Sequence, residues 1–140
     1  MREELIRRCH AIEECYEFML AYAAQGLAGD AGSQSGGQLR TFLNRLIEAL
    51  SGLSQLAAHV VEREKLTPVD RYEAFLAVLG RDASDALAAV QLVQAQPSIS
   101  SQLIDNLNAS IHLRALLTDL FLIDEILKGQ PAGTPPPTTR

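Results

Sequence analysis

Apolar residues recur at intervals of three and four along most of this chain, the spacing that places side chains on one face of an α-helix. Segment 38–64 shows the spacing without interruption, while its polar residues fall on the other side. The apolar positions of this segment are Leu39, Leu43, Leu46, Leu50, Leu53, Ala57 and Val60. A half-buried strand would alternate with a period of two, and no stretch does so convincingly. The pattern therefore predicts an all-α protein.

Three other segments follow the same spacing, and breaks between them are marked by glycine, proline and serine. Thr67 as N-cap and Pro68 at the first helical position mark the start of the third. Gly80 weakens that helix, which we expect to be either continuous or kinked there. The predicted fold is an antiparallel up-down four-helix bundle with helices at about 2–25, 38–64, 68–95 and 99–128.

We predict a single domain over 1–128, with a glycine-rich connection inside it and a tail after it. Residues 26–37, GLAGDAGSQSGG, contain five glycines and predict a flexible loop that cannot pack. No strand precedes this loop and no Gly-Lys-Ser/Thr follows it, so a phosphate-binding role is disfavoured. Helix four is expected to begin at one of three serines and to end at Gly129, before a disordered Pro/Thr-rich tail over 129–140. The candidate N-cap serines are Ser98, Ser100 and Ser101.

Charge and cysteine usage restrict the partners and the compartment. Seventeen acidic and twelve basic residues give a net charge of −5, and the densest basic pair, Arg7 and Arg8, is followed at once by glutamates. We therefore expect no nucleic-acid partner. The N-terminal stretch MREELIRRCHAIEE lacks an apolar run, which predicts no signal peptide. Two cysteines, Cys9 and Cys15, on one helix favour a reduced, cytoplasmic protein.

Histidines and carboxylates offer few catalytic candidates. His10 and His59 fall on polar faces, and no Glu-x-x-His pair is present for a di-metal site in a bundle. Acidic residues three apart occur as Glu14 with Glu17, Asp70 with Glu73, and Asp82 with Asp85. Paired carboxylates of this kind resemble those that hold magnesium in all-α nucleotide pyrophosphohydrolases, but their separations differ. The first two pairs are the metal candidates, and solvated helix faces explain all three pairs as well. We expect no cofactor.

The stretch HLRALLT, residues 112–118, resembles the H-box of histidine-kinase dimerisation domains. That resemblance implies phosphotransfer at His112. The acidic residue that normally follows the histidine is replaced by Leu113, and the customary proline by Leu116. Without the carboxylate the imidazole has no general base beside it.

The fourth predicted helix carries two apolar stripes rather than one. On a continuous helix, the first stripe should face the bundle: Ile104, Leu107, Ile111, Ala115, Thr118, Leu122 and Ile126. The second lies roughly 130° away and is expected to face outward: Leu116, Leu120, Ile123 and Leu127, with Leu117 and Phe121 nearby. Asp119, Asp124 and Glu125 interrupt the stretch, so we expect no membrane span. Either the second stripe is an interface, or helix four is the most buried helix of its own monomer.

These observations favour a non-catalytic scaffold, adaptor or accessory subunit that binds proteins and forms a homodimer through the second stripe. An enzyme or a metal- or phosphate-handling bundle is the alternative. In its small size, acidity and helical content the chain is also similar to flagellar export chaperones, which implies an export-chaperone-like role.

Overall fold

The computed structural model describes residues 1–130, and every regular element in that range is an α-helix. The helices are α1 (Arg2–Ala24), α2 (Gln34–Leu50), α3 (Leu53–Arg63), α4 (Val69–Gln94), α5 (Ser101–Ala109) and α6 (Ile111–Lys128). The all-α prediction is confirmed. The four-helix bundle is wrong, because the described part of the chain has six helices: the second and fourth predicted helices are each divided in two. Most of the predicted tail, residues 131–140, lies outside the described residues.

The second predicted helix is interrupted at Ser51 and Gly52. Ser51 is extended, with φ −70° and ψ 122°, and Gly52 adopts φ 71°, which a residue without Cβ reaches at little cost. The predicted apolar stripe of this segment, from Leu39 to Val60, nevertheless lies entirely in the core. This interruption therefore changes the path of the chain without changing which residues are buried.

The fourth predicted helix is interrupted at Ser110 alone, and this interruption changes which residues are buried. Ser110 has φ −64° and ψ 145°, and its hydroxyl accepts a hydrogen bond from the Leu113 backbone N–H at 3.3 Å, which caps α6. On a continuous helix Leu107 and Ile111 would share a face. In the structure Leu107 is buried and Ile111 is 74% exposed. Because of this one extended residue, the buried face of α6 does not continue the buried face of α5.

Helix α4 runs without interruption through Gly80. Pro68 occupies the N-cap position that the sequence suggested for Thr67. At the other end of the following connection, Ser100 caps α5 by accepting a hydrogen bond from the Leu103 N–H, as one of the three candidate serines was expected to do. The end of α6 at Gly129 also agrees with the prediction.

The glycine-rich connection is held against the rest of the chain rather than standing free. The Leu27 N–H donates to Ser101 Oγ at 2.9 Å, and the Ser101 N–H donates to the Leu27 carbonyl at 2.9 Å. Asp30 accepts a hydrogen bond from the Ile99 N–H at 2.7 Å and pairs with Arg40 at 2.8 Å. The last residues of the segment already belong to α2. The prediction that this stretch cannot pack is therefore wrong.

Helices α1 and α4 organise the core, since each packs against α2, α3, α5 and α6. Buried polar atoms join the elements across this core: Tyr22 donates its hydroxyl to the Ile99 carbonyl at 2.7 Å, and Asn108 donates to the Met19 carbonyl at 3.1 Å. Such bonds satisfy groups that would otherwise be stranded away from water. They also fix α5 on α1, immediately before the break at Ser110.

Arg2 joins three parts of the chain at one end of the molecule. Its guanidinium pairs with Glu64, just after α3, and donates to the carbonyls of Leu127 and Gln130 at 3.0 and 2.8 Å. The two charged side chains are only 13% and 11% exposed. Planar guanidinium geometry suits such a multiple contact. The end of α6 is thereby tied to the start of α1.

Candidate interaction surface on helix α6

Exposed large apolar side chains are concentrated on α6. Within residues 1–130 eight such side chains are exposed, and four of them belong to this helix: Ile111, Phe121, Leu122 and Ile126. Three of the four lie on one line with two smaller residues, at spacings of four, three, four and four. We call this line the α6 stripe: Ile111, Ala115, Thr118, Leu122 and Ile126. It faces away from the core along the length of the helix.

The opposite face of α6 belongs to the core and contains the residues predicted as an interface. Leu116, Leu120, Ile123 and Leu127 are between 0 and 3% exposed, and Leu117 is 5% exposed. The prediction that these side chains form a free surface is wrong. The stripe predicted to face outward is buried, and the stripe predicted to face the bundle is exposed. The prediction assumed one continuous helix through Ser110, which is extended in the structure. Of the predicted interface residues only Phe121 is exposed.

Charged residues flank the α6 stripe along one edge. Arg114 and Glu125 both lie about 60–80° to the same side of it. Within the described part of the chain neither makes an ion pair, and both are exposed. Thr118, in the middle of the stripe, donates its hydroxyl to the Arg114 carbonyl at 2.9 Å. The only polar side chain of the stripe is therefore satisfied inside its own helix and needs no water.

Phe121 lies beside the stripe, at the contact between α6 and α1. A shallow depression of about 200 Å³ opens there, and it is lined by Glu13, Tyr16, Glu17, Leu117 and Phe121. Both carboxylates come from α1, one of them being the metal candidate Glu17. The depression extends the apolar surface of α6 towards α1 but offers a small ligand little enclosure.

A second unusual feature is a pair of carboxyl groups between α4 and α6. Asp119 is only 7% exposed, and its Oδ2 has no hydrogen-bond partner among the described residues. Burial and the adjoining carboxyl group of Asp82 raise the pKa of Asp119 to about 7. Asp119 therefore keeps its proton to a higher pH than a solvated aspartate would. Such a group can act as an acid or base near neutrality, but a substrate could scarcely reach an atom this deeply buried.

The sequence contains a signal for this buried pair in the spacing of its apolar residues. Asp119 lies three residues after Leu116 and four before Ile123, which places it on the buried face of α6. Asp82 lies at the same offsets from Leu79 and Ala86 on α4. An acidic residue at a position where the helical spacing calls for an apolar core residue is a candidate for burial. Asp82 therefore turns to Asp119 rather than to the predicted partner, Asp85.

The remaining metal and phosphotransfer candidates lie at the surface. Glu14 pairs with Arg45 at 2.8 Å, and Asp70 and Glu73 are exposed in the first turns of α4. Among residues 1–130 no three His, Cys, Asp or Glu side chains come together as a metal site would require. His112 is exposed in the first turn of α6.

Three arginines line a depression of about 210 Å³ between α1 and α2, which could suggest an anion site. Each arginine is already paired. Arg7 and Arg8 both bind Glu4, at 2.6 and 3.0 Å, and Arg45 binds Glu14. The guanidinium of Arg8 also donates to a backbone carbonyl at 2.6 Å. An incoming anion would have to displace carboxylates of the same chain, so the depression is a poor anion site.

No known protein family, curated protein or solved structure matches the chain. None of the helices in the described range is both long enough and apolar enough to cross a membrane.

Proposed function

We propose that this protein acts by binding another protein chain through the α6 stripe, as a scaffold, adaptor or accessory subunit without catalysis of its own. The observation that carries the proposal is the concentration of exposed large apolar side chains on one helix face. Contiguous apolar patches of this kind mark interaction sites on water-exposed surfaces. Covering the exposed parts of Ile111, Leu122 and Ile126 would contribute about 2–5 kcal/mol before the cost of association is subtracted.

The chemical groups of the chain support binding better than catalysis. The carboxylate pairs are either solvated at the surface or, for Asp82 and Asp119, enclosed between helices. His112 has no carboxylate as its next neighbour to act as a base. An export-chaperone-like role would be one form of the same activity. Cys9 and Cys15 are both free and buried, which fits a reducing compartment such as the cytoplasm.

The proposal is tested by placing charge on the α6 stripe. Ile111→Glu combined with Leu122→Glu changes two exposed positions and should leave the helical circular dichroism spectrum intact. Leu92→Glu on α4, at a residue that is 67% exposed, is the matched control outside the stripe. We expect the association of the protein, with itself or with a partner captured from its native cell, to be lost in the double variant and kept in the control. An identical set of associations in both variants would refute the proposal.

A further inference from the structure

We infer that the occupant of the α6 stripe is a second copy of this chain, packed antiparallel to the first about a two-fold axis close to Thr118. The inference rests on the proposed binding role of the stripe and adds the identity and the orientation of the partner. A face that binds its own copy must be complementary to itself under the two-fold rotation. The shape and the charge of the α6 stripe can each be compared with that requirement.

The spacing of the stripe is self-complementary in an antiparallel register. Placing Ile111 opposite Ile126 of the second copy also places Ala115 opposite Leu122 of that copy, since both pairs have the same midpoint. A small residue then faces a large one at two symmetric positions, the arrangement that lets helices interdigitate. The midpoint falls between Thr118 and Asp119. Thr118, with its hydroxyl already satisfied, lies at the axis where the two helices approach most closely.

Charge selects this orientation over the parallel one. Arg114 and Glu125 lie on the same edge of the stripe, and residues on the same edge face each other in an antiparallel pair of helices. In the register above, Arg114 comes within two residues, about 3 Å along the axis, of Glu125 of the second copy. The two-fold axis makes this contact twice. In a parallel pair related by a two-fold axis, the same edges of the two helices lie on opposite sides of the contact, so Arg114 would not meet Glu125 of the other copy.

The charge of this surface also favours a copy over a strongly charged partner. The chain as a whole carries −5, yet the ionic groups of α6 outside its buried face are Arg114 and Lys128 against Glu125 and the half-buried Asp124. Lys128 and Asp124 already pair at 3.2 Å. The exposed side of α6 is therefore close to neutral, which reduces the repulsion between two acidic molecules at this face.

The size of the face predicts a weak and reversible dimer. A helix of eighteen residues is about 27 Å long and about 10 Å wide, well below the 800 Å² per partner of a standard interface. Phe121 and other exposed groups beside the stripe can enlarge the contact. We expect a dissociation constant on the order of tens of micromolar, so association must be measured from about 5 to 500 μM protein.

The decisive experiment is a charge exchange, followed by sedimentation equilibrium of the full chain at low salt. Arg114→Glu and Glu125→Arg should each raise the dissociation constant about tenfold, because two attractive contacts become repulsive. The double variant R114E/E125R should restore the wild-type value. An equimolar mixture of the two single variants should also restore it, since both contacts of the mixed dimer join opposite charges. Arg71→Glu and Glu73→Arg, at exposed positions on α4, are the matched controls and should leave association unchanged.

The outcomes separate this inference from the proposed function. A wild-type chain that stays monomeric at the highest concentration, but binds another protein through the stripe, overturns the inference and leaves the binding role standing. A dimer that responds equally to the charge variants and the controls also overturns the antiparallel arrangement. If Ile111→Glu with Leu122→Glu changes no association at all, the proposed function itself fails. Circular dichroism of each variant confirms that the charge changes have not unfolded the chain.

Discussion

Asp119 of α6 and Asp82 of α4 face each other between the two helices, and burial together with this contact raises the pKa of Asp119 to about 7. Asp119 is only 7% exposed, and a buried aspartate normally has a cationic partner. Here the neighbouring group is a second acid, and the proton that Asp119 retains takes the place of a counter-ion. The packing of α4 against α6 is therefore linked to protonation.

The link gives a pH dependence whose sign follows from the raised pKa. The folded chain holds the Asp119 proton more tightly than the unfolded chain does. This proton therefore adds to the free energy of unfolding in full below about pH 4, and its contribution is lost as the pH rises through 7. Asp119→Asn removes the titration and lets an amide donate to Asp82. We expect the stability advantage of this variant over wild type to grow by about 2–4 kcal/mol between pH 4 and pH 8, measured by urea unfolding.

Asp105→Asn on α5 removes an exposed carboxylate and serves as the control for this prediction. The difference in unfolding free energy between Asp105→Asn and wild type should stay nearly constant over the same pH range. A similarly constant difference for Asp119→Asn would show that the buried pair does not hold its proton as described.

Two adjacent glycines in α2 predict opposite effects of the same substitution. A Cβ on Gly36 would lie 1.9 Å from the Asp30 carbonyl oxygen, whereas a Cβ on Gly37 would meet nothing within 4 Å. Both substitutions add the same helix propensity. We expect Gly37→Ala to stabilise the chain by about 0.5–1 kcal/mol, and Gly36→Ala to destabilise it by about 1–3 kcal/mol because Asp30 must move. Thermal unfolding of the two variants measures the difference, and equal effects would contradict the close approach.

The Arg2 contact predicts a loss of stability that lysine cannot restore. Arg2→Ala removes the guanidinium from Glu64 and from two carbonyl groups in a region that is largely shielded from water. Of these acceptors the Leu127 carbonyl keeps a second donor, the Gln130 N–H. We expect a destabilisation of about 2–3 kcal/mol in urea, and Arg2→Lys should recover less than half of it, since an ammonium cannot reach three acceptors in one plane. Arg7→Ala, which removes a solvated pair on the same helix, should leave the urea midpoint unchanged. Full recovery by lysine would show that only the charge matters.

The sequence was sufficient to predict the helical class and the buried stripe of the second predicted helix. A break in a helix leaves the apolar spacing intact when the residues after it keep the same buried face. The stripe from Leu39 to Val60 was predicted correctly even though Ser51 and Gly52 divide its helix. The same reasoning failed beyond Ser110. Serine disfavours a helix interior by only a few tenths of a kcal/mol relative to its neighbours, so its extended conformation depends on tertiary contacts. The hydrogen bond from Asn108 to the Met19 carbonyl is one such contact, and spacing alone does not reveal it.

The candidate site depended directly on that one residue. The sequence correctly indicated that α6 has more apolar residues than one face can hold, but it assigned the wrong half to the outside. Leu120 and Ile123 pack inside the chain, while Leu122 and Ile126 remain exposed. Identifying the exposed half required the backbone conformation of Ser110.

The extended conformation of Ser110 determines which side of α6 is turned to the core. If Ser110 were helical, α5 and α6 would form one continuous helix, on which Leu122 and Ile126 share the face of the buried Leu107. The face of Leu116 and Leu120 would then lie about 130° away from that side. Selection on a single surface serine could therefore decide which face of α6 holds the protein together and which face remains available for binding.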